Sequence, residues 1–209
     1  MSVNSDALIG LFFEVTPHLG HSEHYFSYVE KLKPELAKHS GLIWIDRYRA
    51  SSANNFRLLS YQLWDGEKSI EKWRKNKTHR YAQKAGVRTH FKDYRIRVGE
   101  RLACWSAGSA IKLNMRSPAK SGLLLMSIQS DAEVPQAAFA KYGSFDSTYC
   151  GLAASNKSVT LVSPNDLFCA EALALSITSK LVCKVDLFLI DRDYSMAQRD
   201  QVFPKKLSM

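Results

Sequence analysis

The sequence has few cysteines, and their spacing indicates neither a disulfide framework nor a zinc site. Cys104, Cys150, Cys169 and Cys183 form no Cys-x-x-Cys pair, and none of them stands at metal-ligand spacing from a histidine. Structural zinc sites and secreted disulfide scaffolds both need closely spaced ligands or paired cysteines. We therefore expect free thiols in a reducing compartment.

Long apolar runs are also missing. No stretch approaches the roughly 18 uninterrupted apolar residues of a membrane-spanning helix. The first segment, Met1 to Pro17, carries Asp6 and has no basic cluster before its short apolar run, unlike a secretory signal. With 45% hydrophobic and 11% aromatic residues, the composition is that of an ordinary globular protein. We expect a cytoplasmic protein with no membrane partner.

Acidic residues are too few to balance the basic ones, and the formal net charge is +9. The first 105 residues hold 18 Lys and Arg against 11 Asp and Glu, a net charge of +7. Much of this excess lies between Lys68 and Lys84 and at Arg95 and Arg97, which we expect on the outward side of a strand. No nucleic-acid-binding motif accompanies it. We interpret it as a solvated basic face, with attraction of an anionic ligand as the alternative.

The first half shows the order β-α-β-β-α-β. Apolar or alternating segments predict strands, and apolar residues at three- and four-residue spacing predict helices. Asp65 is the expected N-cap of the second helical region, and Gly86 is its expected end. The predicted strands are 8–15, 42–49, 56–63 and 94–102; the predicted helices are 21–38, a segment after Asp65, and 78–85.

The second half repeats this order more faintly, with strands expected at 123–129, 148–154, 158–163 and 181–191 and helices at 135–142 and 166–178. We predict an α+β protein of tandem ferredoxin-like βαββαβ units, the second degenerate: domain 1–105, linker 106–121 and second unit 122–209. One face of a four-stranded sheet remains open when helices cover the other. The two units therefore predict an internal pseudo-dimer, and a homodimer of whole chains stays open.

Aromatic and titratable residues are concentrated between Leu58 and Val98. Trp64, Trp73 and Tyr94, together with His79, could wall a small-molecule pocket between sheet and helices. Large aromatic residues are also common in cores, so a structural role is the alternative. His21 and His24 have helical i,i+3 spacing that would suit a metal, but no third ligand accompanies them, and we expect surface residues and no metal site.

The first half resembles the antibiotic-biosynthesis-monooxygenase family, a branch of the dimeric α+β barrel proteins. The resemblance implies oxidation of an aromatic or quinol-type small molecule by O₂ without metal or flavin. It rests on these segments: Phe13-Glu14-Val15 with Pro17, Leu32 with Pro34-Glu35-Leu36, Gly41 with Arg47, Leu58-Leu59-Ser60 through Trp64, Trp73-Arg74 with His79, Ala82-Gln83, Gly86, and Phe91 through Val98.

The resemblance also implies the site. His79, whose ordinary pKa is about 6.5, is the expected base or proton shuttle. The expected catalytic residues are His79, Trp73 and Tyr94, and the expected substrate-binding residues are Trp64, Arg47, Tyr61 and Phe91. We expect no cofactor. A haem-degrading branch shares the fold, but Gln83 stands where that branch has its iron ligand, so haem binding is a lesser alternative. A non-catalytic small-molecule-binding or stress-response protein is the other.

Overall fold

The computed structural model describes residues 7–50, 56–106, 109–111, 122–132, 134–152 and 157–197. The expected turn at 51–55 and most of the expected linker lie outside these ranges. The elements are β1 (Ile9–Pro17), α1 (Ser22–Ala37), β2 (Leu42–Ala50), β3 (Leu58–Trp64), α2 (Glu67–Lys75), α3 (Lys77–Ala85), a π-helical turn (Gly86–His90), β4 (Phe91–Ser106), β5 (Ser109–Ile111), β6 (Leu123–Ser130), a 3₁₀ turn (Gln136–Ala138), β7 (Gly143–Gly151), β8 (Ser158–Pro164), α4 (Leu167–Thr178) and β9 (Cys183–Ser195).

Eight of the strands form a closed, antiparallel barrel. The hydrogen-bonded order is β1-β3-β2-β7-β8-β6-β9-β4, and β4 pairs again with β1 to close the ring. Each half contributes four neighbouring strands in the same order, β4-β1-β3-β2 and β9-β6-β8-β7. The predicted α+β class is confirmed, and the two halves together complete the barrel. Degeneration of a second copy stays a prediction.

The helices lie outside the barrel and differ between the halves. Residues of α1 and α2 pack with the outer face of the first four strands, and α4 packs with the outer face of the second four. The helix expected at 135–142 is only a 3₁₀ turn, because the seven residues between Pro135 and Gly143 give little chance to nucleate a helix. No helix in the described part of the chain is long and apolar enough to cross a membrane.

One expected helix end is wrong, and another is confirmed with an addition. Gly66, not Asp65, precedes α2, and no side chain caps this helix. Helix α3 ends at Ala85 with Gly86 as its C-cap, as predicted, but the chain then continues as the π-helical turn to His90. The backbone of Gly86 is right-handed helical, and its missing Cβ leaves room for the ring of Phe91. This glycine therefore serves close packing and not chain reversal.

Aromatic rings fill one part of the barrel interior. The ring of Phe12 stacks on Tyr61 with centroids 4.4 Å apart and meets the ring of Phe188 edge-on at 5.1 Å. Trp44 meets Tyr61 edge-on at 4.8 Å. A Cβ on Gly10 would collide with the Phe188 ring, so β1 has a glycine where the second half inserts this side chain. The interior here is a packed core, as in other small barrels.

A buried ion-pair network lies beside the aromatic rings. Arg97 is 0% exposed, and its guanidinium lies 2.7 Å from Glu14 and 2.6 Å from Asp146. The hydroxyl of Tyr149 donates to the same Glu14 carboxylate. The expectation that Arg97 faces outward is therefore wrong. The predicted alternation of β4 is present, but barrel closure turns its polar face inward.

Substitution Arg97→Met should lower the free energy of unfolding by about 3–5 kcal/mol, because it leaves the buried Glu14 carboxylate without its counter-charge. The matched control is Arg95→Met on the same strand. The Arg95 side chain is 39% exposed; it pairs with Asp193 at 2.7 Å and lies 3.9 Å from Asp146. Its loss should cost about 1 kcal/mol or less. Urea denaturation of the three proteins measures both effects, and equal losses would contradict the buried network's role.

Candidate active site

A cavity of about 510 Å³ lies in the first half, between the outer face of the sheet and the helices. Strands β1 to β4 form its floor, and α1, α3 and the π-helical turn form its roof. This volume is within the range of small-molecule sites. Most of the lining side chains are apolar or aromatic.

The floor of the cavity is polar on one side and apolar on the other. Strand register places Arg47, Ser60, Phe13 and Ile96 in one row across β2, β3, β1 and β4. All four side chains line the cavity, and so does Gln62 of the neighbouring row. The hydrogen-bonding groups therefore gather over β2 and β3, and the apolar groups over β1 and β4.

Strand β3 carries a short hydrogen-bond chain along this floor. The indole nitrogen of Trp64 donates to the Gln62 side-chain oxygen at 3.1 Å, and the Gln62 amide donates to the Ser60 hydroxyl at 3.1 Å. Trp64 itself is 0% exposed and is not among the lining residues. It lies behind the lining, where it packs with lining residues such as Leu36 and Trp73 and orients Gln62 through its indole N–H.

The sequence interpretation missed Ser60 and Gln62. Both are nearly inaccessible to solvent, at 3% and 8% exposure, on a strand whose seven residues are all buried. Two polar residues at a spacing of two in an otherwise apolar strand lie on the same face. This alternation was the available signal, since buried polar groups need partners or a ligand.

His79 is held firmly at the cavity wall. Its ring stacks on Trp73 with centroids 4.4 Å apart, and its Nδ1 atom lies 3.1 Å from the backbone carbonyl oxygen of Trp73. The side chain of Asn76 caps α3 by accepting from the His79 backbone N–H. A carbonyl oxygen only accepts, so Nδ1 of the neutral ring carries the proton and Nε2 has the free lone pair. His79 can therefore accept a proton at Nε2.

Burial lowers the pKa of His79 to about 4, although the hydrogen bond to the Trp73 carbonyl acts in the opposite direction. The expected pKa of about 6.5 is therefore not kept in the folded protein. The imidazole is neutral at pH 7, because desolvation disfavours its charged form. It is ready to accept a proton, but it is a weak base unless a bound anion raises its pKa.

Arg47 supplies positive charge to the polar side of the floor. Its guanidinium hydrogen-bonds the hydroxyl of Tyr25; burial raises the pKa of Tyr25, and Arg47 opposes that rise. The Nε atom of Arg47 is buried and has no hydrogen-bond partner. A guanidinium edge with an unused donor, inside a cavity, is suited to bind an anion or a polar oxygen.

The other expected site residues divide between two faces of the sheet. Trp73, Tyr94 and Phe91 line the cavity together with His79 and Arg47. Tyr61 does not, because it precedes Gln62 and neighbouring strand residues point to opposite faces. Its ring lies in the barrel interior, and its hydroxyl is 2.9 Å from that of Ser127. The placement of Tyr61 in the site is corrected accordingly.

Basic side chains surround the mouth of the cavity. Arg74, Arg80, Lys84 and Arg88 are exposed and line its edge. No carboxylate is among the lining residues that the structure describes. The basic face inferred from the sequence therefore includes the entrance to the cavity.

Histidines cluster outside the cavity, around the start of α1. The Nδ1 atoms of His21 and His90 are 3.1 Å apart, and the ring of His24 stacks on His90 at 4.5 Å. In the part of the chain that the structure describes, no three His, Cys, Asp or Glu residues are placed to hold a metal ion together. His21 and His24 thus have a third histidine nearby but not in ligand geometry.

Residues 8–85, which include most of the cavity lining, match the family model described as antibiotic biosynthesis monooxygenase. This segment is an antibiotic biosynthesis monooxygenase domain. The matched residues end before β4. Phe91 and Tyr94, which also line the cavity, therefore lie outside the match. The resemblance inferred from the sequence is confirmed.

Known proteins similar to this chain include a jasmonate monooxygenase of Pyricularia oryzae, 34% identical over 93 residues. The match covers 44% of this chain and 43% of the relative, so it spans less than half of the relative's length. A solved structure described as anthrone oxidase-like is 11% identical, with a TM-score of 0.43, and covers 95% of this chain and 97% of its own. A Pseudomonas aeruginosa protein is 15% identical, with a TM-score of 0.42, and covers 48% of this chain and 99% of its own.

The depressed pKa of His79 predicts a pH-dependent stability. The unfolded chain takes up this proton below about pH 6.5, whereas the folded protein resists it down to about pH 4. His79 therefore leaves the free energy of unfolding unchanged above about pH 6.5. Between pH 6.5 and 4 it lowers that free energy by roughly 3 kcal/mol, because only the unfolded chain takes up the proton. Urea denaturation at pH 7, 5.5 and 4 measures the effect. Between pH 7 and 4, the free energy of unfolding should fall by roughly 3 kcal/mol more in the wild type than in His79→Gln.

Thr78→Ala, on the exposed side of the same helix, is the control and should keep the wild-type pH dependence. Parallel curves for the wild type and His79→Gln would contradict a buried, neutral imidazole.

Proposed function

We propose that this protein is a cofactor-independent monooxygenase that oxidises an aromatic or quinol-type small molecule with O₂ in the helix-covered cavity of its first half. The observation that carries the proposal is a neutral imidazole, fixed in one tautomer, at the wall of an apolar cavity of about 510 Å³. The family of residues 8–85 supports this reading.

The lining suits a flat, electron-rich substrate. Aromatic rings of Tyr28, Trp73, Phe91 and Tyr94 face the cavity from helices and sheet. Aromatic faces stack on aromatic ligands, and a water-poor site strengthens the few polar contacts within it. Gln62 and Ser60 add hydrogen-bonding groups at the floor. A substrate held this way would present its acidic position toward α3.

The reaction requires that the substrate supply its own electrons. Removal of a proton from an activated carbon gives an anion that O₂ can oxidise. A methylene then becomes a carbonyl: CH₂ and O₂ give C=O and H₂O, with one oxygen atom retained and the other released as water. All four electrons come from the substrate carbon, so no reductant is needed. His79 accepts the proton at Nε2, and the growing negative charge raises the pKa of the imidazole as the transfer proceeds.

The name of the related jasmonate monooxygenase is consistent with the proposed reaction, in which oxygen is inserted into a small, largely apolar molecule. Jasmonate is the substrate in that protein's name, and fold or family alone does not define the substrate of this one. The family match, which spans β1 to α3, lies within the cavity-forming half.

One observation favours a second candidate, a non-catalytic small-molecule-binding protein of the same fold. An acceptor with a pKa of about 4 is a poor base for a substrate that is a weak acid. The haem alternative also stays a prediction: Gln83, about one helical turn beyond His79, lines the same cavity. Both candidates differ from the first in measurable ways.

The decisive measurement is O₂ uptake with a panel of quinols and anthrones. Wild-type protein should consume one O₂ per substrate molecule, and His79→Gln should be slower by about a factor of 100 or more, because a general base contributes that much. Thr78→Ala should match the wild type. No protein-dependent uptake with any of these substrates would contradict catalysis and support the binding protein.

Cofactor independence has its own test. Activity should survive dialysis against a metal chelator, and a hemin titration should show no shift of the Soret band. Loss of activity after chelation would contradict the cofactor-independent mechanism. A Soret shift that is abolished by His79→Gln would instead favour the haem alternative.

A further inference from the structure

Arg47 carries a charge that the protein does not neutralise. An arginine side chain remains protonated at any physiological pH. The neighbouring carboxylate in sequence, Asp46, accepts from the Arg47 backbone N–H, and not from its guanidinium. Within the described residues Arg47 forms no ion pair, and its Nε donor is buried without a partner. A half-buried cation of this kind costs free energy unless something supplies the counter-charge.

The rest of the cavity also lacks a counter-charge. Among the described lining residues, five are cationic, Arg47 in the floor and Arg74, Arg80, Lys84 and Arg88 at the mouth, and none is a carboxylate. The fully buried Arg97, in contrast, contacts both Glu14 and Asp146. Arg47 therefore differs from Arg97 in having no carboxylate partner among the described residues, and it is the arginine that lies in the cavity floor.

The neighbours of Arg47 indicate how an anion would lie. Ser60 is beside it on β3, and the Tyr25 hydroxyl accepts from its guanidinium. In the same row, Phe13 and Ile96 continue the floor as an apolar surface. A ligand with one charged end and an apolar body matches this floor in both parts.

We propose that the substrate carries a carboxylate, which binds the Nε edge of Arg47 while its apolar body lies over Phe13 and Ile96. This inference rests on the proposed function, because it assigns the substrate class of the same cavity. The exposed cations at the mouth attract the anion and speed its entry. Arg47 lies on the sheet and His79 on α3, so one end of the molecule is anchored while another part reaches the imidazole.

A carboxylate fits better than a phosphate group. The guanidinium presents Nε–H and one Nη–H side by side, which matches the two oxygens of a carboxylate. A doubly charged phosphate would bring a second negative charge to a floor where the other lining residues are neutral. The single guanidinium therefore balances a single charge.

The test compares matched acids and esters in binding, without turnover. The probes are jasmonic acid with its methyl ester and 1-naphthaleneacetic acid with its methyl ester, titrated into the full chain by calorimetry at pH 7. Wild-type protein should bind at least one of the acids tenfold or more tightly than its ester. Raising NaCl from 50 to 500 mM should weaken binding of the acid several-fold and leave the affinity for the ester unchanged.

Arg47→Met should bring the affinity for the acid down to that for the ester, and Arg47→Lys should retain part of the preference. The matched control is Arg49→Met, on the same strand but exposed and outside the cavity lining. It should keep the wild-type preference. The melting temperature of each variant shows whether it is folded, and the comparison of acid with ester in the wild type needs no variant.

Equal binding of acid and ester by the wild type, in both pairs, would overturn the inference, and so would absence of binding by both acids. A preference for the acid that survives in folded Arg47→Met would overturn it as well. These outcomes are independent of O₂ uptake. An acid preference without O₂ consumption would reject the monooxygenase proposal and leave the carboxylate site standing.

Discussion

Strand β4 pairs with β1 of its own half and with β9 of the other, and the rest of the structure follows from this double pairing. A four-stranded sheet with helices on one face has a second face that needs cover. Here each half covers the other, and the strands close into a ring. The closure excludes water from the inner face of every strand, so the side chains there must either pack as apolar groups or pair their charges.

Both solutions occur inside the barrel. Phe12, Tyr61 and Phe188 interlock as a core, and Arg97 bridges Glu14 and Asp146. Asp146 comes from β7 of the second half, and Arg97 comes from β4 of the first. The ion-pair network therefore joins the halves. The filled interior also explains why the described cavity is outside the barrel, under the helices of the first half.

That cavity combines two opposite electrostatic conditions. Burial keeps His79 neutral, whereas Arg47 retains its charge because no physiological pH removes it. Helix α3 holds the imidazole, and strand β2 holds the guanidinium. A molecule with a charged end and a weakly acidic carbon would engage both groups at once. No described residue of the second half lines this cavity, and the described contribution of that half is to complete the barrel.

The sequence by itself was enough to determine the order of the main strands in both halves, the family of residues 8–85 and most of the aromatic cavity wall, including Trp73, His79, Phe91 and Tyr94. These depend on local periodicity and on the composition of single segments. Only the tertiary structure decided which face of each strand is enclosed. Arg97 and Tyr61 alternate as expected but lie inside the barrel, Trp64 lies behind Gln62, and the pKa of His79 falls to about 4. The physical reason is that burial depends on which distant strands close around a side chain, and the local sequence does not record that closure.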